Sequence, residues 1–315
     1  MTQPSAKQIE QLCDDWCTAS TPPGGGLQIG SETEKFRLRA NGVVFHELDF
    51  ASLCAAVIGL SKALLRPGLN TIVDFDHFTL WSWCAELILA SRPSVFAQAQ
   101  HEIKATYETA IHAALASCTK PPASKDEWRE QGRIRDLQPH HAKQLLSSSS
   151  SILAYISFPL LEAVLKRACA AYVAFDGQVV ATFSVPSRSG NVRTYDPNGS
   201  YRDQQCSSLR DLLFLHRTSV ADSKQKLLLD RFRLHLGSLD TSGDPFDVLY
   251  RWRNQSLHGS TSFETIGGTV LGYCLLISLF ELEPDFDARR TKAIEHCRWE
   301  AQSSHRSPWS FYPPY

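Results

Sequence analysis

Three polar side chains near position 255 are of the types that can cleave RNA without a metal ion. Arg253 and Asn254 are adjacent, and His258 lies four positions beyond Asn254. In such a reaction the ribose 2′-hydroxyl loses a proton as it attacks the neighbouring phosphorus, and negative charge builds on the phosphate oxygens. A histidine that titrates near neutral pH suits the proton transfer, and a fixed guanidinium suits the charge. Arg253 and His258 are therefore candidate catalytic residues, with Asn254 orienting the imidazole.

The surrounding sequence predicts the helix that would carry these side chains. Asp244 followed by Pro245 is a start signal, because the carboxylate accepts an unpaired N–H and proline needs no partner at the first helical position. Gly259 suits the left-handed residue that ends a helix. At 3.6 residues per turn Arg253 falls on the apolar stripe, so its charge needs a carboxylate such as Glu162, carbonyl groups or a bound anion.

Each of these residues also has a structural interpretation. Arg253 could be an ion-pair partner of Glu162 and no more, and a histidine at the end of a helix is favoured there by the helix dipole. Arg251 either pairs with Asp247 at the surface or contacts an RNA phosphate. Both alternatives stay open at this stage.

The segment resembles the HEPN family, whose members are helical bundles, often dimeric, marked by an arginine, a polar residue and then a histidine. Arg253, Asn254 and His258 fit that pattern, and the lead-in at 249–252 and the helix at 160–167 are similar to the family as well. The resemblance covers about 151–283. It implies an RNA-cleaving site that uses no cofactor and no metal, formed between two copies of the domain.

Spacing alone is a weak signal for such a site. Arg135 and His140 have the same separation as Arg253 and His258, in a setting with Pro139 that argues against a preorganised site. Arg253 and His258 are about 140° apart around a helix axis, so one copy does not obviously aim both at one phosphate. A two-fold dimer would place two such motifs around a single cleft, as the resemblance implies.

A second helix is predicted directly after the first. Thr261 and Glu264 form a capping-box pattern that would open a helix over 264–282 and close a tight helical hairpin. Gly268 and Gly272, four positions apart, would leave a flat strip on this helix. The strip indicates either close packing within the chain or a dimer seam.

The expected fold class is mainly α. A HEPN-like up-and-down bundle at 151–285, with a β-hairpin inserted at 178–195, would follow a mostly helical N-terminal domain at 1–120 of unread role. A linker at 121–150 and a C-terminal tail at 286–315 complete the division, because proline, serine and mixed charges dominate the linker. The segment 41–50 is predicted to be a strand.

Composition excludes some classes of protein. The formal net charge is −1, so attraction to RNA must come from a local patch. Nine scattered cysteines do not suit a disulfide framework and favour a reducing, cytoplasmic location, and Cys13 and Cys17 lack a second pair at zinc-ligand spacing. The longest uncharged apolar stretch, 265–280, is shorter than the roughly 20 residues of a membrane span and is expected to be a buried helix.

Three hypotheses follow. The first is a cytoplasmic, homodimeric HEPN-type endoribonuclease, a toxin or defence effector whose N-terminal half senses, regulates or recruits, with a regulatory or antitoxin partner and no membrane. The second is a non-catalytic HEPN module that binds RNA, a nucleotide or a partner protein. The third is a helical scaffold without a nucleic-acid role, which near-zero net charge would suit.

Overall fold

The computed structural model describes residues 3–21, 31–64, 75–90, 95–96, 100–118, 124–239, 243–257, 266–303 and 310–313. Within these residues the chain has thirteen α-helices and one two-stranded sheet, so the predicted mainly-α fold is confirmed. The elements are α1 (Ala6–Ser20), α2 (Ser31–Glu34), α3 (Phe50–Ala63), α4 (Phe75–Ala85), α5 (His101–Ser117), α6 (Lys125–Leu137), α7 (His140–Ser147), α8 (Ser149–Ala168), β1 (Phe183–Pro186), β2 (Val192–Tyr195), α9 (Leu209–Leu215), α10 (Ser223–Leu239), α11 (Pro245–Leu257), α12 (Gly267–Phe280) and α13 (Phe286–Gln302). Single π-helical turns extend α4 over Glu86–Ala90 and α9 over His216–Val220.

The chain divides into two compact units. The first combines Met1–Ser157 with Ser262–Tyr315, and the second is Phe158–Thr261. This division differs from the expected domain at 151–285, because α12 packs against α3 of the N-terminal half. Sequence adjacency of α11 and α12 therefore did not predict which unit holds α12.

The expected linker and tail are also largely helical. α6 and α7 occupy most of 121–150, and α13 occupies the first half of 286–315. Ser124 caps α6 by accepting a hydrogen bond from the N–H of Glu127 at 3.1 Å. Exposed ion pairs three positions apart then line this helix, so a polar composition here marks a solvated helix and not a flexible linker.

The predicted strand at 41–50 was wrong. The structure has short 3-10 turns over Arg39–Asn41 and Phe45–Glu47. Asp49 then caps α3, accepting from the N–H of Ser52 at 2.7 Å. The apolar residues that suggested a strand are buried because this loop packs on the core, and burial in a loop leaves no strict alternation.

Small residues allow the helices of the first unit to approach closely. A Cβ atom at Gly59 would lie 2.6 Å from the Sγ of Cys13, which sets the contact of α1 with α3. A Cβ at Gly272 would lie 1.9 Å from the Oγ of Ser61, and one at Gly268 would meet Leu64 at 2.6 Å. The strip on α12 thus faces α3 of the same chain, and the close-packing interpretation is confirmed.

The apolar stretch at 265–280 forms α12, and every residue of this helix is buried, as predicted. Among the described helices, no single one combines the length and apolar character needed to cross a membrane. One bent pair, α7 with α8, meets the length and composition criteria together.

Gly272→Ala is expected to lower the free energy of unfolding by about 1–3 kcal/mol, because the added methyl group overpacks the contact of α12 with α3. Gly132→Ala is the matched control, since a Cβ at Gly132 meets no atom within 4 Å in exposed α6. That control should stabilise the protein by about 0.5–1 kcal/mol through helix propensity. Urea unfolding followed by circular dichroism measures both, and equal signs for the two variants would contradict the packing argument.

The second unit contains the hairpin predicted at 178–195. Its strands β1 and β2 are antiparallel, with Phe183 opposite Tyr195 and their rings stacked at 4.7 Å between centroids. Asp222 and Gln225 exchange reciprocal side chain to backbone hydrogen bonds at the start of α10, so the capping box proposed there is confirmed. The hairpin and α9 to α11 supply the side chains of the candidate site.

Candidate functional site

α11 begins where the sequence predicts. The Oδ1 of Asp244 accepts from the N–H of Phe246 at 2.9 Å, and Pro245 is the first helical residue. Phe246 and Leu249 are fully buried and fix which face of α11 is turned inward. The helix extends to Leu257, so the candidate base His258 lies outside the described residues.

Arg253 makes the ion pair that its place on the apolar stripe requires. Its Nη2 lies 3.3 Å from Oε2 of Glu162 on α8, and the two side chains are 29% and 22% exposed. Glu162 also accepts from Lys166 at 3.1 Å. The charge of Arg253 is thus partly compensated within the protein, which is the structural alternative considered for this residue.

The polar stripe of α11 borders a cleft of about 450 Å³. Arg251 from α11, Arg188 from the hairpin turn and Arg210 from α9 line this cleft, together with Asp244 and Asp247. We call this feature the arginine cleft. Three guanidinium groups and two carboxylates leave an excess of one positive charge, and Arg233 compensates Asp244 by an ion pair.

Arg210 is the buried member of the arginine cleft. Its side chain is 6% exposed, its Nε donates to Oδ1 of Asp247 at 2.8 Å, and its Nη1 donates to the carbonyl oxygen of Pro186. Asp211 lies 3.4 Å from the same Nη1 and accepts from the hydroxyl of Tyr195 at 2.7 Å. Burial, and then this hydrogen bond, raise the pKa of Tyr195 above its ordinary value, so the phenol stays a donor. Arg210 therefore ties α9, α11 and the hairpin together.

Arg188 is the exposed member. It lies in the turn between β1 and β2, and its side chain is 54% exposed. Its Nε donates to Oδ1 of Asp247 at 3.1 Å, and its guanidinium lies over the ring of Tyr250 at 4.3 Å from the centroid. The aromatic ring and the carboxylate hold the guanidinium at the mouth of the cleft while leaving donors open to solvent.

The sequence predicted Asp247 as a partner of Arg251, whereas the structure gives Asp247 two other partners, Arg188 and Arg210. Arg251 and Asn254 are both half-buried and lie one helical turn apart on α11. Arg251 thus lies at the arginine cleft, where a phosphate contact was one of its two interpretations. That contact remains a prediction.

Sequence reasoning missed Arg188 and Arg210. The turn signal at Ser189 and Gly190 marked the hairpin, and Gly190 adopts a φ of 84°, but nothing local indicated that the turn meets α11. Arg210 stands within the apolar run of α9 as Arg253 does in α11, so the same question about its partner could have identified it.

Among the described residues, no group of three or more histidine, cysteine and acidic side chains is placed to hold a metal ion. The nine cysteines are free, and burial raises the pKa of the Cys13 thiol well above its ordinary value, with Cys17 adding to the effect. A thiol of this kind is a weak nucleophile at neutral pH.

Comparison with protein-family models, with curated proteins and with solved structures finds no match to this chain. The likeness to the HEPN family therefore depends on the residues quoted for it, chiefly Arg253, Asn254 and His258.

Proposed function

We propose that the second unit binds RNA through phosphate groups held in the arginine cleft. The observation that carries the proposal is the convergence of Arg188, Arg210 and Arg251 from three separate elements. Guanidinium groups present a planar fork of donors that matches phosphate oxygens, and phosphate contacts dominate RNA affinity. A cleft of about 450 Å³ is large enough for a nucleotide unit.

The position of the cleft along α11 favours a polymer over a free phosphate. Arg251 lies at the cleft, and Asn254 lies about 5 Å further along the same helix axis. A strand whose phosphate is held by Arg251 would continue past Asn254 toward the residues that follow α11. Exposed Arg188 at the mouth would contact a neighbouring phosphate of the same strand.

The second candidate function is metal-independent RNA cleavage of the HEPN type. It is favoured by Asn254, which lies one turn from Arg251 and precedes His258 in the motif. His258 would accept the proton of the 2′-hydroxyl, the 2′ oxygen would bond to phosphorus, and the bond to the 5′ oxygen would break. The 5′ oxygen then takes up a proton, and the products are a 2′,3′-cyclic phosphate and a 5′-hydroxyl end.

Cleavage ranks second because Arg253 is engaged with Glu162. In the HEPN proposal two copies face each other, so that a guanidinium and an imidazole from different copies meet one phosphate. A role as toxin or defence effector, held in check by a regulatory or antitoxin partner, belongs to the same proposal. Sedimentation velocity tests the homodimer on which this arrangement depends.

Binding is tested with a fluorescein-labelled single-stranded RNA and fluorescence anisotropy at several salt concentrations. The double variant Arg188→Gln/Arg251→Gln is expected to bind at least about tenfold more weakly and to reduce the salt slope by about 2, since each lost phosphate contact removes about one unit. Arg202→Gln is the matched control, because Arg202 is an exposed arginine of the same unit outside the cleft. Unchanged affinity in the double variant, or no binding by wild type, would contradict the proposal.

Cleavage is tested on the same RNA with EDTA present. His258→Ala should retain binding and lose cleavage, whereas binding without cleavage by wild type would remove the endoribonuclease candidate and leave the binding proposal standing. Glu162→Gln separates the two interpretations of Arg253. If Arg253 acts by holding α11 on α8, Glu162→Gln and Arg253→Ala should lower stability and activity together.

A further inference from the structure

The first unit contains a separate cavity of about 230 Å³ that has no part in RNA binding. It lies between α13, the end of α4 and the C-terminal residues 310–313, and its lining is mostly apolar. Trp83, Cys297 and Ala301 contribute to the walls, together with the rings of His46 and Tyr312. A cavity of about 150 Å³ can hold a benzene molecule, so this one has room for an aromatic ring with a short substituent.

Three aromatic rings form one corner of this cavity. Trp83 meets His46 at 6.0 Å and Tyr312 at 5.1 Å between ring centroids, and each pair is edge to face. His46 and Tyr312 are also edge to face at 5.5 Å, and the Nδ1 of His46 is 2.7 Å from the hydroxyl of Tyr312. Such a corner offers both ring faces and ring edges to a flat occupant.

The Tyr312 wall is held by a buried carboxylate. Glu86 lies in the π-helical turn after α4 and is 1% exposed. It accepts from the N–H of Phe311 at 2.9 Å and from that of Tyr312 at 3.3 Å, while its other oxygen lies 2.8 Å from Nδ1 of His296. The cavity is therefore built before any ligand arrives, because backbone and side-chain hydrogen bonds fix its wall.

Two donors at the cavity have no acceptor among the described residues. The indole N–H of Trp83 is buried without a hydrogen-bond partner, although the residue is 0% exposed. Arg298 lines the cavity, and no carboxylate in the described part of the chain pairs with it. A buried donor without an acceptor costs about 1–3 kcal/mol, so a ligand oxygen that accepts from Trp83 would recover that cost.

The remaining polar pair does not supply charge. Burial lowers the pKa of His46, with Glu47 opposing and Arg298 adding to the effect, so the imidazole is neutral at pH 7. Burial raises the pKa of Tyr312 to about 12, so the phenol keeps its proton. The charge at the cavity is therefore that of Arg298, and it is positive.

We propose that this cavity binds a small aromatic carboxylic acid, with the ring inside the aromatic corner and the carboxylate on Arg298. The apolar walls select the ring, and the guanidinium selects the anion. This site is independent of the arginine cleft, because all of its residues belong to the first unit.

Isothermal titration calorimetry of the full chain with sodium indole-3-acetate and with neutral indole tests the proposal. The acid is expected to bind at least about tenfold more tightly than indole, since only the acid gains the charged hydrogen bond. Arg298→Gln should abolish that preference, while Lys292→Gln, which removes an exposed charge from the same helix, should leave it unchanged. Ala301→Phe should abolish the binding of both compounds by filling the cavity.

Ala301 is exposed near the end of α13, so its replacement leaves the core intact and circular dichroism can confirm the fold. Equal affinity for the acid and for indole, or a preference for the acid that survives Arg298→Gln, would overturn the proposal. No heat with indole-3-acetate at millimolar concentration, or unchanged binding in Ala301→Phe, would overturn it as well.

Discussion

Replacement of Arg210 by leucine is expected to lower the free energy of unfolding of the second unit by about 3 kcal/mol. The guanidinium is almost wholly buried, and its loss takes a donor from Asp247, from Asp211 and from the carbonyl oxygen of Pro186 at once. Leucine restores apolar volume but no donor, so two carboxylates are left with less compensation in a place from which water is largely excluded. Arg210→Leu should also abolish RNA binding, because the variant loses both a cleft residue and the geometry of the cleft.

Hydrogen–deuterium exchange of peptides from 158–257, together with urea unfolding, separates this unit from the rest of the chain. Arg202→Leu is the matched control, since it removes the same charge from an exposed position of the same unit, and it should change stability by less than about 0.5 kcal/mol. Exchange in Arg210→Leu that matches wild type would show that the buried ion pairs do not hold the unit together.

Acidification from pH 7 to about pH 4 is expected to destabilise both units. Each contains a buried histidine, His77 in the first and His216 in the second, which are 0% and 2% exposed. Burial lowers the pKa of each imidazole to about 4. An unfolded chain binds a proton at such a residue near pH 6.5, so between about pH 6.5 and pH 4 the unfolded state holds more protons than the folded state. Stability is therefore complete above this window and falls through it, by roughly 3 kcal/mol for each histidine.

His216 gives the cleaner measurement of the two. Asp76 stands beside His77, and burial raises the pKa of that carboxyl, which opposes the histidine as the pH falls. His216 responds to burial alone, and its Nδ1 has no hydrogen-bond partner among the described residues. His216→Leu should thus reduce the pH dependence of unfolding by about one proton between pH 6.5 and 4.

Urea unfolding at pH 7.5, 6.0, 5.0 and 4.5 measures that dependence, with exchange in 158–257 reporting on the second unit. His141→Gln serves as the control, because His141 is exposed on α7 and should titrate alike in both states. A slope in His216→Leu equal to that of wild type would mean that His216 is protonated in the folded protein.

Local sequence signals predicted much of α11. The carboxylate of Asp244 and the ring of Pro245 fix its start, and these effects act over two or three residues. The stripe that contains Phe246 and Arg253 follows from helical periodicity alone, and a guanidinium on an apolar stripe demands a partner. Glu162, 91 positions away, could be named as a candidate because its own helix turns one face to the core.

Signals of long range were not readable in the same way. The apolar helix at 265–280 was predicted to be buried, but its partner α3 is set by the complementary shapes of Gly272 and Ser61. Such a fit depends on two surfaces together, and neither surface encodes it alone. For the same reason the expected domain boundary separated α12 from the unit in which it packs.

The sequence by itself therefore determined the helical class, the start of α11, the β-hairpin and the need of Arg253 for a carboxylate. Only the tertiary structure brought Arg188 and Arg210 to Arg251, and Trp83 to Arg298. Capping, turn chemistry and periodicity are properties of neighbouring residues, whereas a cleft or a cavity forms where distant elements meet. Because that meeting is decided by packing of whole faces, both proposed binding sites were invisible until the faces were assembled.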